Sequence, residues 1–202
     1  MLVRHGQTDG SDRYYGRTDN DLNAAGREQA EGLRRRLASE KINAVYTSTL
    51  KRAIATAEAI ATGRGLEITC CSELDEVDFG KLEGMTYEEI CRQYPTVAAS
   101  WTDWSAQLEF PGGESASLFG QRVVRFLERL KSHNDDETIL VVGHGGPLRL
   151  LLCRLLGLGI KHCNQFTFGL ASISVVNRYS QGAILSQLSD VCHLGKGKPQ
   201  RG

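Results

Sequence analysis

Two short apolar runs, far apart in the chain, end in the same way. Leu2-Val3 leads into Arg4-His5-Gly6, and Val141-Val142 leads into Gly143-His144-Gly145-Gly146. Short apolar runs of this kind mark strands buried on both faces, as in parallel sheets. A polar residue at the end of such a strand stands at the carboxyl edge of an open α/β sheet, where these folds present reactive groups. The glycine that follows frees the backbone to turn away. Two histidines placed so can face one substrate, and Arg4 beside the first suggests that this substrate carries phosphate.

The rest of the chain alternates in the same sense. Strands are expected at Leu2–Arg4, Ala44–Thr47, Leu66–Cys70 and Thr138–Val142, with Ile173–Asn177 and Ala183–Gln187 as a closing hairpin at a sheet edge. Helical spacing runs from Ala24 to Ala38, from Leu50 to Ala61 and from Pro147 to a stop at Gly157. A long amphipathic helix should bury Phe119, Val123, Phe126, Leu127 and Leu130 and leave Arg122, Arg125, Glu128 and Arg129 in solvent. Strands alternating with helices imply a mostly parallel sheet in a three-layer α/β/α sandwich. A single domain over 1–194 is expected, with a small helical cap inserted at about 75–113 and an unstructured tail at 195–202. The cap holds a short helix near Tyr87–Tyr94 and both tryptophans, Trp101 and Trp104. Residues 6–23 read as a long irregular loop directly after His5, where function is the better reading.

Composition narrows the partners. The chain has 202 residues, with 24 basic and 24 acidic side chains in balance. That argues against a polyanion such as nucleic acid as a main partner. No apolar run approaches membrane-spanning length and no signal peptide is visible, so a cytoplasmic protein without a membrane partner is expected. Six cysteines form no C-x-x-C pair, and His162-Cys163 and Cys192-His193 lack ligand spacing. No metal site and no nucleotide-binding glycine motif stands out, so no cofactor is expected.

Phosphate-ester chemistry needs cations to hold the phosphoryl group, a nucleophile in line and an acid for the leaving oxygen. Arg4 and His5 supply a cation and a neutral imidazole nucleophile on one strand end. Arg52, on the first turn of the helix after the strand ending at Thr47, is a second cation or an ordinary exposed helix arginine. The stretch Leu74 to Gly84 offers four carboxylates, Asp75, Glu76, Asp78 and Glu83. One would serve as the acid, and residue type alone does not say which.

Together these pieces resemble the histidine phosphatase superfamily. The resemblance rests on Leu2-Val3-Arg4-His5-Gly6, then Gly16-Arg17-Thr18-Asp19 leading to Leu22 and Gly26, then Ser48, Leu50 and Arg52-Ala53. It continues through Leu74, Glu76, Phe79-Gly80 and Glu83-Gly84, then Pro111-Gly112-Gly113-Glu114-Ser115, and last Val141 to Gly146 with Arg149. The blocks fall in family order over residues 2 to about 176. The resemblance implies that His5 becomes phosphohistidine and that Glu76 gives the leaving group its proton and then activates water. It implies that Arg4, Arg52 and His144 bind the phosphoryl group, with Gln7, Thr8, Ser11 and Gly145 beside it. Arg149 and Glu83 then read as supporting residues. Gly10-Ser11 replaces the family's Trp-Asn, Asp21 a proline, Ala55 a glutamine and Leu82 a tryptophan.

Three functions are consistent with this resemblance. The first is a metal-independent phosphomonoesterase acting on a small phosphorylated metabolite, with α-ribazole 5'-phosphate as a candidate. The second is a cofactor-dependent phosphoglycerate mutase, disfavoured because residues 85–110 carry a single basic side chain, Arg92. The third is an inactive phosphoester-binding module, disfavoured because His5, His144 and Glu76 are all present. Trp101, Trp104 and Tyr94 either line a pocket for a flat leaving group or pack the cap. Assembly as a homodimer stays open.

Overall fold

The computed structural model describes residues 1–10, 12–101, 104 and 107–195. Ser11 and residues 196–202 lie outside that set, and with them the expectations placed on Ser11 and on most of the tail.

Six strands form one sheet: β1 (Leu2–Arg4), β2 (Ala44–Thr47), β3 (Ile68–Cys70), β4 (Ile139–Gly143), β5 (Ile173–Tyr179) and β6 (Gly182–Asp190). Their order is β3-β2-β4-β1-β5-β6. The first four run parallel, and β5 and β6 close one edge as an antiparallel hairpin. β3 starts two residues later than the apolar run suggests. It lies at the sheet edge and pairs only with β2, from Ile68 to Cys70.

Side chains alternate across each strand, and this sorts the core into two layers. Leu2 and Val141 join one apolar cluster, while Val3, Val45, Leu140 and Val142 join the other. Helices α1 (Ala24–Arg36) and α2 (Lys51–Ala61) supply Leu33, Ala53, Ala57 and Ile60 to the second cluster. Helices α5 (Ala116–Leu130) and α6 (Gly145–Leu155) supply Phe119, Phe126, Leu148 and Leu152 to the first. The result is the three-layer α/β/α sandwich that the alternation implies. Between β3 and α5 lie two short helices, α3 (Tyr87–Gln93) and α4 (Pro95–Trp101). The second was not anticipated, although Pro95 at its first position is a recognised helix start.

The parallel pairing brings the two histidines together. Leu2, Val3 and Arg4 of β1 stand level with Val141, Val142 and Gly143 of β4. The His5 amide then donates to the Gly143 carbonyl at 3.0 Å, so His5 and His144 leave the sheet side by side.

One expectation about α5 fails. Arg122 is 6% exposed rather than solvated. Its guanidinium grips the Glu114 carboxylate at 2.7 and 2.9 Å and donates to the carbonyls of Glu73, Asp75 and Glu76 at 2.9, 2.5 and 3.0 Å. Helical spacing places it beside the apolar stripe, and Glu114 before α5 together with the chain after β3 supplies the acceptors that make its burial tolerable. Leu127, expected inside, is half-buried.

Two glycines let the loop after His5 lie against α1. A Cβ on Gly26 would stand 2.0 Å from the Gln7 carbonyl oxygen, and one on Gly6 would stand 2.5 Å from that of Gly26. Gly120 is the contrast, since nothing lies within 4 Å of a Cβ built there on α5. Gly26→Ala should lower the unfolding free energy by about 1–3 kcal/mol through overpacking. Gly120→Ala should raise it by about 0.5–1 kcal/mol by restricting the unfolded chain. Urea unfolding of both variants checks this, and equal effects would contradict the packing described.

Candidate active site

His5 is 6% exposed and its Nδ1 lies 2.7 Å from the carbonyl oxygen of Gly6. A carbonyl only accepts, so Nδ1 carries the proton and Nε2 keeps the lone pair. Burial pushes the imidazole pKa well below its usual value, and the charges of Arg52 and Arg4 push it further. The ring is therefore neutral near pH 7.

His144 is fully buried and its ring centroid lies 4.9 Å from that of His5. Both of its nitrogens are engaged. Arg52 Nε donates to Nδ1 at 3.2 Å, so the proton sits on Nε2, which donates to Ser48 Oγ at 2.8 Å. Ser48 Oγ passes its own hydrogen to Asp75 Oδ1 at 2.7 Å. Burial and the same arginine charge hold the His144 pKa well below normal.

Arg52 is 2% exposed, not the surface residue that a first-turn helix position also allows. Besides His144, it donates to the carbonyls of Thr18, Tyr15 and Gly16 at 2.8, 3.3 and 2.9 Å. Those carbonyls are held in turn by Glu83, whose carboxylate accepts from the amides of Gly16, Arg17 and Thr18 at 2.9 to 3.1 Å. Arg4 donates to the Phe168 carbonyl at 2.6 Å, while its Nε is buried without a partner. Desolvation lowers its pKa to about 10, against the raising effect of Glu76. Among the described residues neither Arg4 nor Arg52 has a carboxylate within ion-pair distance.

Glu76 emerges just after β3, carried by the segment that Arg122 clamps. Its Oε1 accepts from the Val77 amide at 2.9 Å and its Oε2 from the Gly146 amide at 3.3 Å. The second donor belongs to the N-terminus of α6, whose N-cap His144 makes no side-chain cap. The first amides of that helix thus face the site. Of the other carboxylates in the stretch, Asp75 is 2% exposed and works as a hub. It accepts from Ser48, from the Thr49 amide and hydroxyl, and from Arg17 Nη1 at 2.6 Å.

Several of these groups border one cavity of about 420 Å³. Arg4, His5, Thr8, Arg52, Glu76 and Gly145 line it, while Gln7 and His144 do not. Trp101 and Trp104 reach its wall with Tyr14, but Tyr94 packs into the core instead. Tyr14 lies 4.8 Å from Trp101 and 5.5 Å from Phe79, ring to ring, so the wall is an aromatic cluster. Trp104 serves both readings, being 4% exposed and also part of the core. The roles of Ser48, Asp75 and Arg122 were not visible in the sequence; their signal is burial of polar groups whose hydrogen-bond partners come from other segments of the chain. Arg149, read as a supporting residue, lines the cavity.

Comparison with known proteins shows the family to which the chain belongs. A family model of the histidine phosphatase superfamily, branch 1, matches residues 1–191. Phosphoserine phosphatase 1 of Hydrogenobacter thermophilus is 34% identical over 198 residues, which is 97% of this chain and 94% of that one. The metal-independent phosphoserine phosphatase of Arabidopsis thaliana is 35% identical over 208 residues, covering 100% and 86%. The solved alpha-ribazole phosphatase of Shigella flexneri superposes with a TM-score of 0.84 at 31% identity, covering 94% of this chain and 95% of that one. The chain belongs to the histidine phosphatase superfamily, branch 1, and is a phosphatase of that family.

Proposed function

We propose that the protein hydrolyses phosphomonoesters of small metabolites through a phosphohistidine on His5, without help from a metal ion. One observation carries this reading. Two guanidinium groups, Arg4 and Arg52, are held beside a neutral imidazole with no carboxylate paired to either among the described residues. Burying cations without counter-ions is costly, so the site is built for an anion that arrives from outside.

In the first step the Nε2 lone pair of His5 attacks phosphorus, and the bond from phosphorus to the leaving oxygen breaks. The Nδ1 proton stays in place, its hydrogen bond to the Gly6 carbonyl supporting the cationic ring that forms. Arg4, Arg52 and the amide end of α6 stabilise the charge on the equatorial oxygens. Glu76 gives its proton to the leaving oxygen. In the second step Glu76 takes a proton from water, the water oxygen bonds to phosphorus, and the phosphorus–nitrogen bond breaks. Phosphate leaves and His5 is neutral again. His144, bonded to Arg52, orients that guanidinium. Gln7, Thr8 and Gly145 border the phosphate, Thr8 and Gly145 from the cavity wall itself. The names of the relatives put phosphoserine and α-ribazole 5'-phosphate first among metabolites to try.

His5→Ala should abolish hydrolysis of p-nitrophenyl phosphate, while chelators leave the parent enzyme unaffected. Full activity of the variant, or loss of parent activity on metal removal, would overturn the mechanism. Glu76→Gln should cost about 10²–10⁴-fold with alkyl phosphates. The loss should be smaller with aryl phosphates, whose leaving groups need less protonation, and equal losses would exclude the acid role. A third prediction concerns pH and stability. The native pKa values of His5 and His144 lie below the unfolded value of about 6.5, so the unfolded chain binds more protons in acid. Stability should be fully present above that pH and fall below it, by up to about 1.4 kcal/mol per pH unit for each histidine. Urea unfolding between neutral and acid pH should give a shallower slope for His5→Asn than for the parent; identical slopes would argue against a neutral buried His5.

A further inference from the structure

Four arginines line the cavity, and three of them have acceptors. Arg13 donates to the Gly84 carbonyl at 2.7 Å and pairs with Glu89 at 3.1 Å. Arg52 is bonded to three carbonyls and His144, and Arg4 to the Phe168 carbonyl. The fourth, Arg149, makes no hydrogen bond or ion pair with any described residue, and its Nε is fully buried. It lies one helical turn beyond Gly145 on α6, on the turn after the amides that face Glu76.

Charge accounting gives this arginine a purpose. A phosphomonoester dianion balances Arg4 and Arg52. Arg13 is balanced by Glu89. Arg149 remains, in a partly desolvated wall that Glu76 and Asp12 also line, as a guanidinium with no carboxylate in ion-pair distance among the described residues. Its field lowers the pKa values of both Arg4 and Tyr14. It lines the cavity together with Arg4 and Glu76 and with Tyr14, Phe79 and Trp101 of the aromatic wall, so a leaving group lying against that wall would meet it.

We propose that Arg149 docks a carboxylate on the leaving group, so that this site selects phosphomonoesters of carboxylic acids over those whose leaving group carries no anion. The proposal rests on the phosphatase reading above and names its substrate class. A guanidinium matches a carboxylate through two parallel donors, and the aromatic wall strengthens the pair by excluding water.

The test compares substrates that differ only in the carboxylate. O-phosphoserine is set against phosphoethanolamine, and 3-phosphoglycerate against glycerol 3-phosphate, with p-nitrophenyl phosphate as a common reference. The parent enzyme should favour the carboxylated member of at least one pair by about 10–100-fold in kcat/KM, the range of a charge-assisted contact. Arg149→Gln should bring that ratio down to within about threefold of one, and Arg149→Lys should keep part of it. A ratio near one for both pairs in the parent overturns the proposal. So does a ratio that survives in folded Arg149→Gln, or in Arg149→Lys and Arg149→Gln alike. Failure of the parent to hydrolyse even p-nitrophenyl phosphate would instead sink the phosphatase reading on which the proposal stands.

Discussion

Everything at this site depends on keeping two arginines charged and two histidines neutral within one buried cluster. The same desolvation acts on all four, but from different starting values. It holds the imidazole pKa values well below normal, while Arg4 falls to about 10 and stays cationic. The arginine charges then reinforce the neutrality of the histidines. A neutral His5 with its proton locked on Nδ1 is a nucleophile in waiting, and two cations with no carboxylate in ion-pair distance among the described residues are a seat for phosphate. Each property follows from the other.

The scaffold exists to hold that balance. Adjacent parallel strands β1 and β4 set His5 and His144 level. The chain Glu83 to loop 16–18 to Arg52 to His144 to Ser48 to Asp75 then fixes the second imidazole and the second guanidinium as one unit. On the other side of the cavity Arg122 gathers the carbonyls of residues 73, 75 and 76, which aims Glu76 at the amide end of α6. A Cβ on Gly146 would stand 2.3 Å from Glu76 Oε1, so a side chain there would displace the carboxylate from this position. Arg4 and His5 thus arrive together at the end of β1, Arg52 on α2 and Glu76 after β3, and hydrogen bonds to backbone orient each of them.

Much of this is legible before folding because strand-end histidines and alternating apolar runs are local signals. Leu2-Val3 and Val141-Val142 announce buried parallel strands, and the glycine after each histidine announces a turn at the sheet edge. The residues that escape are those whose meaning comes from distant partners. Arg122 reads as solvated because the three backbone carbonyls it gathers lie 46 to 49 positions earlier in the chain. Asp75 is one carboxylate among four until the fold brings Ser48, Thr49 and Arg17 to it. Tyr94 reads like Trp101 in spacing and composition, yet only the packing of α3 and α4 decides which ring reaches the cavity. Arg149 carries no local mark of its missing partner.

The most direct measurement is the chemical identity of the phosphoenzyme. Rapid quench of the parent with a labelled phosphomonoester, followed by peptide mapping under alkaline conditions, locates the phosphoryl group. The hydrogen bond from Nδ1 to the Gly6 carbonyl leaves Nε2 as the site of attack, so an acid-labile phosphoryl group on Nε2 of His5 is predicted. An acid-stable phosphoester, a phosphoryl group on His144 or on Nδ1 of His5, or turnover with no phosphoenzyme under conditions that trap one in a related phosphatase would contradict the account.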